Sequence, residues 1–199
     1  MTVFAVLMRL REICCDPRLV ADDWTGSSAK LEACLELVTE AVAGGHRILL
    51  FSQFTSMLEL LAKRLDEAGV SHFTLQGSTP KPVRAEQVRR FNQGEADVFL
   101  ISLRAGGTGL NLTAADIVIH YDPWWNLAAQ NQATDRAYRI GQRNPVQVYR
   151  LIAQDTIEEK IVELQQAKQS LADTVTGGAD GAILSMNPEQ LLQLLGEEA

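Results

Sequence analysis

The chain has 199 residues, of which 46% are hydrophobic and 22% are charged, and its formal net charge is −7. This composition fits one globular domain with a short appendage, and it excludes collagen-like, low-complexity and fully disordered chains. No apolar run approaches the roughly 20 residues of a membrane-spanning helix, and Arg9 and Arg11 come too late for a secretory signal. We therefore expect a soluble intracellular protein that is not secreted.

The negative charge is concentrated at the C-terminal end. Residues 155–199 carry nine acidic residues and two lysines, so residues 1–154 sum to zero. Within that neutral part, residues 76–91 and 134–150 each carry a net charge of +3. Such clusters are typical of solvated helix faces and also of phosphate contacts, and charge alone leaves both interpretations open.

The cysteines and histidines do not suggest a metal site. Cys14, Cys15 and Cys34 cannot all pair with one another, so we expect reduced thiols in the core. The three histidines are scattered, whereas a zinc site needs several ligands at short spacing. We predict no metal ion held by this chain.

In chain order, the pattern predicts a helix over residues 3–13 and a polar loop at 22–28 that contains Trp24. Five apolar, β-branched runs predict buried strands at 47–51, 72–75, 98–103, 117–121 and 146–152. Between and before them, helical spacing predicts helices at 31–42, 55–68, 83–91 and 127–138, stopped in three cases by Gly44, Gly69 and Gly94. A helix over 156–171, with one apolar face, is expected to brace the domain.

This alternation predicts an α/β fold with a doubly wound, mainly parallel sheet flanked by helices. The expected division is an N-terminal helix with its lead-in loop (1–26), a lobe (27–154), the bracing helix (155–176) and a linker with a short acidic tail (177–199). The first helix begins so near Met1 that we expect the chain to start inside a longer or split protein.

Ligands of such sheets bind at the carboxyl ends of the strands, so the residues that follow each strand are informative. The segment after the third strand has glycines at 106, 107 and 109, where backbone N–H groups can converge on an anion. A structural turn explains these glycines equally well. The segment is not a Walker A loop, because no lysine in the chain follows a glycine.

Two arginines further along the chain have the spacing of a phosphate clamp. Arg136 and Arg139 are three residues apart on a predicted helix, so they share a face and suit bidentate contact with phosphate oxygens. Arginine fingers of this type stabilise charge on a transferring phosphoryl group. Surface salt bridges are the alternative when the residues are considered alone.

Five stretches of the chain point to one family when they are taken together. They are ILLFSQFTSMLELL (48–61), LQGSTPKPVR (75–84), AGGTGLN (105–111), DPWWN (122–126) and DRAYRIGQ (135–142). In this order they resemble the fourth motif, the segment after it, the fifth motif, the family's own marker and the sixth motif of the Swi/Snf family of DNA-dependent ATPases, in helicase superfamily two. The resemblance is to the C-terminal, second RecA-like lobe of that family, and Tyr138 replaces the histidine most often found in the sixth motif.

The resemblance implies that ATP and Mg2+ sit between two lobes, of which the first supplies the P-loop lysine and a DEAH-type acid pair. Only the second lobe is present here, so we expect the isolated chain to be inactive. Asp66 and Glu67 form the one Asp-Glu pair of the sequence, but they lie on a predicted helix before Gly69 and not at a strand end. We do not interpret that pair as a metal site.

Matched motif by motif, the resemblance assigns three groups of site residues. The catalytic arginines would be Arg136 and Arg139, and the nucleotide-binding residues would be Gly107, Gly109, Asn111, Gln132 and Asp135. Sequence-independent contacts to the DNA backbone would come from Ser52, Gln53, Gly77, Ser78, Thr79 and Lys81. Ser102 and Arg104 would lie near both ligands, and Trp124 and Trp125 would lie against DNA or the linker region, with a core role equally expected for one tryptophan.

The resemblance therefore implies the second motor lobe of a Swi/Snf-type, ATP-dependent double-stranded DNA translocase or remodeller, in the cytoplasm, nucleoid or nucleus. Its expected partners are the N-terminal lobe and double-stranded DNA, with no membrane. Two alternatives remain: a non-enzymatic module that binds DNA or protein, and a DEAD-type RNA helicase lobe. DPWWN, and Gln142 in place of a longer arginine string, argue against the second alternative.

Overall fold

Helices and strands alternate along the residues that this computed structural model describes, which are 3–21, 23–106, 110–137 and 145–174. The helices are α1 (Val3–Cys15), α2 (Ala29–Ala43), α3 (Thr55–Glu67), α4 (Lys81–Asn92), α5 (Leu103–Gly106), α6 (Leu127–Thr134) and α7 (Ile157–Thr174). The strands are β1 (Ile48–Ser52), β2 (His72–Leu75), β3 (Val98–Ser102), β4 (Ile117–His120) and β5 (Gln147–Arg150). The predicted tail at 177–199 lies outside the described residues.

The five strands form one parallel sheet in the order β2-β3-β1-β4-β5. The central strand β1 pairs with β3 from Ile48↔Val98 onward and with β4 from Ile48↔Ile117 onward. Because all strands run the same way, their carboxyl ends meet at one edge. The predicted α/β class and doubly wound parallel sheet are confirmed.

The three central strands β3, β1 and β4 are buried on both faces of the sheet, which explains why each is almost entirely apolar. On one face, Ile48 and Leu50 pack with α2 and α3, and on the other, Leu49 and Phe51 pack with residues of α4 and α6. All five residues of β1 and of β3 are buried. The alternation of neighbouring side chains between two covered faces therefore fixes the register of the sheet.

Two helices end differently from the sequence prediction. After α2 the left-handed residue is Gly45, with φ of 82°, while Gly44 keeps a right-handed conformation; Gly69 and Gly94 are left-handed as expected of stops. Helix α6 ends at Thr134, four residues short of the prediction, because Arg136 and Ala137 donate to carbonyls only three residues back. Arg136 consequently lies in a turn after α6 and not on its face.

The short helix α5 replaces the predicted end of the third strand. Its start is capped by Ser102, whose hydroxyl accepts a hydrogen bond from the N–H of Ala105 at 3.3 Å. A Ser side chain at this point therefore turns the chain out of the sheet at Leu103 instead of letting the strand continue.

The first and last described helices pack against each other beside the sheet. Leu7 of α1 is buried with Ile157 and Ile161 of α7, and Trp125 packs against this cluster.

Cys15 and Cys34 are free, buried thiols, and burial raises the pKa of Cys34 to about 12. None of the described helices has both the length and the apolar character that crossing a membrane requires.

His120, at the end of β4, is a buried imidazole that should make stability depend on pH. Its ring stacks on Phe51 with centroids 5.5 Å apart, and its Nε2 lies 2.8 Å from the hydroxyl of Thr134. Burial, and secondarily the charge of Arg150, lowers the pKa of His120 to about 4.

We predict that the free energy of unfolding falls by roughly 3 kcal/mol as the pH decreases from 6.5 to 4. The sign follows because the unfolded imidazole takes up a proton near its ordinary pKa, whereas the folded one stays neutral. Urea unfolding over this pH range checks the prediction, with His120→Gln as the comparison. The same change in the free energy of unfolding with pH in both proteins would contradict the prediction, since the other titrating groups are common to both.

Candidate nucleotide and DNA interface

The carboxyl ends of β1 and β4 lie side by side, which brings two candidate segments into contact. Phe51 pairs with His120, and the N–H of Tyr121 donates to the carbonyl of Phe51 at 2.9 Å. Ser52, the last residue of β1, and Gln53, which follows it, therefore face the segment that follows β4. We call residues 122–126, with the sequence DPWWN, the marker loop.

Asp122 joins the marker loop to the end of β1. Its Oδ1 accepts hydrogen bonds from the Ser52 hydroxyl at 2.6 Å and from the Gln53 N–H at 3.3 Å. Its Oδ2 accepts one from Nε2 of Gln53 at 2.5 Å. Asp122 is only 1% exposed, so these bonds replace water around a buried carboxylate.

Arg11 of α1 is the positive charge nearest to this carboxylate. Its Nη2 lies 3.8 Å from Oδ2 of Asp122 and donates to the carbonyl of Pro123 at 2.8 Å. The guanidinium lies 5.0 Å from the ring centre of Trp125 and 5.6 Å from that of Phe54. Arg11 is 1% exposed, and burial lowers its pKa while Asp122 opposes that effect.

The rest of the marker loop is held by two further helices. The N–H of Trp124 donates to the Gln130 side chain of α6 at 3.1 Å, and the carbonyl of Trp124 accepts from the side chain of Gln165 in α7. Asn126 caps the start of α6 by accepting from the N–H of Ala129 at 3.1 Å. Both tryptophans are half-buried, with Trp124 against the sheet core and Trp125 against α1 and α7.

A second buried ion pair lies behind the loop and ties α7 to the start of α2. Nζ of Lys30 lies 2.6 Å from both carboxylate oxygens of Glu158, whose side chain is 1% exposed. Glu158 also accepts from the N–H of Ala153 at 2.8 Å. Lys30 lies 5.3 Å from the ring centre of Tyr121, whose hydroxyl donates to the carbonyl of Cys15 at 2.9 Å.

The candidate nucleotide residues are only partly brought together. The N–H of Leu112, next to Asn111, donates to the carbonyl of Arg136 at 3.3 Å, so the segment after β3 contacts the turn after α6. Asn111, Gln132 and Asp135 are exposed, whereas Arg136 is only 3% exposed. Gly107, Gly109 and Arg139 lie outside the described residues.

The candidate DNA residues divide into an exposed set and a buried set. Gly77, Ser78 and Lys81 are exposed, and the hydroxyl of Thr79 accepts from the N–H of Gln76 at 3.0 Å. Ser52 is fully buried and Ser102 is 3% exposed. The backbone of Arg104 lies in α5, but its side chain is outside the described part of the structure.

Sequence reasoning missed Arg11, Asp122, Lys30 and Glu158 as structural residues of this site. A signal existed for Arg11, because it occupies the buried stripe of α1 between Leu7 and Cys15, where an apolar residue is expected. Asp122 was visible as the first residue of DPWWN. Lys30 and Glu158 are 128 residues apart, and no local pattern connects them.

Within the described ranges, no three His, Cys, Asp or Glu side chains are grouped so that they could hold a metal ion. Asp66 and Glu67 lie on the last turn of α3, as predicted, with 76% and 55% of their side chains exposed. The acid pair therefore belongs to the solvated surface of a helix and is distant in the fold from the carboxyl edge of the sheet.

Comparison with known proteins agrees with this geometry. Residues 29–141 match the family model described as the helicase conserved C-terminal domain. The chain is 40% identical to an uncharacterized ATP-dependent helicase of Mycoplasma pneumoniae, over 96% of this chain and 19% of that protein. It is 46% identical to the chromatin-remodeling ATPase INO80 of Aspergillus niger, over 83% of this chain and 10% of that protein.

Two further comparisons extend the match to a human protein and to a solved structure. Identity to the lymphoid-specific helicase of Homo sapiens is 38%, over 96% of this chain and 25% of that protein. The crystal structure of the C-terminal part of the Fun30 ATPase domain superposes with a TM-score of 0.67 at 32% identity, over 82% of this chain and 54% of that one. This chain therefore spans between a tenth and a quarter of the length of these three relatives.

The parallel sheet, the segments at its carboxyl edge and these matches define a RecA-like lobe of the helicase type. The chain belongs to the helicase C-terminal domain family, and within it to the Swi/Snf-type ATPases of helicase superfamily two. The family predicted from the five motifs is confirmed.

The Lys30 and Glu158 pair gives a test of how α7 is held to the lobe. We predict that Lys30→Met lowers the free energy of unfolding by about 3 to 5 kcal/mol at pH 8, because it leaves a buried carboxylate without a counter-charge. Burial already raises the pKa of Glu158, and Lys30 opposes that rise. The loss should therefore shrink as the pH falls towards 5 and the carboxyl takes up a proton in the folded state.

Urea unfolding of Lys30→Met at both pH values measures this effect. The matched variant is Lys30→Met with Glu158→Gln, in which neither charge remains and the amide oxygen still accepts from Ala153. We expect the double variant to be more stable than the single one at pH 8 and less dependent on pH. If the free energy of unfolding falls equally in both variants, the loss comes from packing and not from the unpaired charge.

Proposed function

We propose that the chain is the second motor lobe of a Swi/Snf-type, ATP-dependent double-stranded DNA translocase or remodeller. The observation that carries the proposal is the hydrogen bond between the backbones of Leu112 and Arg136, in a chain of this family. It joins the segment after β3, where the glycines lie, to the turn that carries the first candidate arginine. The relatives include ATP-dependent helicases and a chromatin-remodeling ATPase, and their names support an ATP-dependent function for the full protein.

In this proposal Arg136 and Arg139 face the γ-phosphate of ATP bound between two lobes. Guanidinium groups stabilise the charge that spreads over the phosphoryl oxygens during transfer. Gln132 and Asp135 orient the arginines, and Gly107, Gly109 and Asn111 contact the nucleotide. The exposed amides of Asn111 and Gln132 fit a phosphate-rich ligand, since both offer N–H donors.

The missing chemistry is assigned to the N-terminal lobe. No lysine in this chain follows a glycine, so the chain has no Walker A loop of its own. We propose that the partner lobe supplies that loop together with the acids that hold Mg2+. The isolated chain is then inactive, because the arginines act on a phosphate that only the other lobe positions.

The DNA side of the proposal uses residues that follow β2, all of them exposed except the half-buried Thr79. Gly77, Ser78, Thr79 and Lys81 offer N–H, hydroxyl and ammonium groups to the phosphate backbone, and such contacts carry no base information. Gly77 has open space around its Cα, so a strand of DNA can approach its backbone closely. Ser102 is the last residue of β3, the strand next to β2, and Arg104 follows it in α5. Trp124 and Trp125 belong to the marker loop, which follows β4.

ATP hydrolysis with and without double-stranded DNA tests the motor assignment. The chain is joined to an N-terminal lobe of a Swi/Snf-type ATPase, in one polypeptide or in trans, and each lobe alone is the control. We predict DNA-stimulated turnover only when both lobes are present. Turnover by no pairing would favour a module that binds DNA or protein without an ATP role.

In an active pairing, we predict that Arg136→Ala and Arg139→Ala each lower the turnover number by roughly 10³-fold or more, with little change in DNA affinity. The matched control is Arg9→Ala, because Arg9 is an exposed arginine of α1 that belongs to none of the three groups of candidate site residues. Unchanged ATPase activity in the Arg136 and Arg139 variants would overturn the motor assignment.

Salt dependence tests the predicted DNA contact of Lys81. We expect Lys81→Ala to weaken duplex binding by the two-lobe protein equally for different sequences, and to reduce the slope of log K against log salt by about 0.9. Lys63→Ala, a change at an exposed lysine of α3, is the control. Fluorescence anisotropy at several salt concentrations measures both, and equal slopes for the two variants would place Lys81 outside the DNA interface.

A further inference from the structure

Ser52, the last residue of β1, and Gln53, the first residue after it, direct their side-chain donors into the protein. The Ser52 hydroxyl donates to Oδ1 of Asp122 at 2.6 Å and accepts from the N–H of Phe54 at 3.2 Å. The Gln53 amide group donates to Oδ2 of Asp122 at 2.5 Å and to the carbonyl of Pro123 at 3.4 Å.

These bonds leave neither side chain a donor for a phosphate. A serine hydroxyl has one O–H, and it is used by Asp122. A glutamine amide has two N–H groups, and both face the marker loop. Its remaining polar atom, Oε1, is an acceptor, as are phosphate oxygens, so it cannot bind DNA backbone by a hydrogen bond.

We propose that Ser52 and Gln53 are positioning residues, which latch the turn after β1 to the marker loop through Asp122, with Arg11 of α1 as the buried counter-charge. The latch fixes where α3 begins, because α3 starts at Thr55, two residues after Gln53. It also gives α1 a defined role, since the guanidinium of Arg11 donates to the carbonyl of Pro123, the same oxygen that accepts from Gln53. The existence of the latch does not depend on the proposed motor function, and only its consequence for DNA binding rests on that proposal.

Exchange of donor and acceptor across the latch provides the test. Gln53→Glu alone brings two carboxylates face to face, and Asp122→Asn alone can bring an amide donor against an amide donor. In the double variant, Gln53→Glu with Asp122→Asn, the new Asn side chain donates to the new carboxylate and still accepts from Ser52. Only the longer bond from position 53 to the carbonyl of Pro123, at 3.4 Å in the native chain, is lost. The net charge is that of the native chain, and a negative charge remains near Arg11.

We expect Gln53→Glu to lower the melting temperature of the chain by about 5 to 10 °C and the double variant to recover most of that loss. Amide hydrogen exchange in residues 122–126 should quicken at least tenfold in Gln53→Glu and return towards the native rate in the double variant. The control is Gln93→Glu, the same change at an exposed glutamine that faces Arg89, which should leave both measurements unchanged.

Failure of the double variant to recover stability and protection relative to Gln53→Glu would overturn the latch. If Asp122→Asn alone does not fold, the comparison of the native chain, Gln53→Glu and the double variant decides the question without it. These measurements need neither ATP nor DNA, so they remain informative if the motor function fails its own test.

Duplex binding by the two-lobe protein then separates positioning from direct contact. A recovered double variant that binds DNA within about twofold of the native protein supports positioning, since a carboxylate at position 53 would repel phosphate. A recovered double variant whose affinity is tenfold weaker or worse would assign Gln53 to the DNA interface and overturn the positioning role. Gln93→Glu shows how much of any loss comes from an added negative charge elsewhere.

Discussion

The buried carboxylate of Asp122 is the constraint on which the arrangement of the site depends. A charge that is 1% exposed loses the stabilisation of water, and attraction to Arg11 restores it only when the remaining polar atoms are also bonded. Ser52 and Gln53 supply those bonds. Because all these groups must be in place together, α1, the turn after β1 and the marker loop have one acceptable relative arrangement.

The order of strands explains why this constraint reaches both candidate ligand regions. β1 lies at the centre of the sheet, between β3 and β4. The segment after β3 contacts the turn that carries Arg136, and the segment after β4 is the marker loop. A fixed end of β1 therefore sets the positions of two neighbouring strand ends. One leads to the candidate nucleotide residues, and the other leads to the marker loop, which meets α1 and α7. Helix α6 connects these two regions. Its Gln130 accepts a hydrogen bond from Trp124 of the marker loop, and its end leads to Arg136.

The sequence predicted the sheet well and the polar site poorly, for different physical reasons. Strands covered on both faces must be apolar throughout, so apolar runs in the sequence predict their positions to within one or two residues. The end of α6 was missed because Ala133 and Ala137 keep the helical spacing beyond Thr134, and only backbone hydrogen bonds show that the last turns tighten. The pairs of Arg11 with Asp122 and of Lys30 with Glu158 join residues more than 100 positions apart, and no local pattern encodes such a pairing.

These pairs attach the first and last described helices to the rest of the lobe, since Arg11 joins α1 to the marker loop and Glu158 joins α7 to α2. Their chemistry differs from that of the apolar contacts beside them. Leu7, Ile157 and Ile161 bury area in any arrangement that keeps them covered, so they tolerate a shift of one helix along the other. A shift of one turn would move Arg11 or Glu158 by about 5 Å and leave two buried charges unpaired, at a cost of several kcal/mol. The apolar cluster therefore supplies the attraction between α1 and α7. The ion pairs determine where each helix lies along the other.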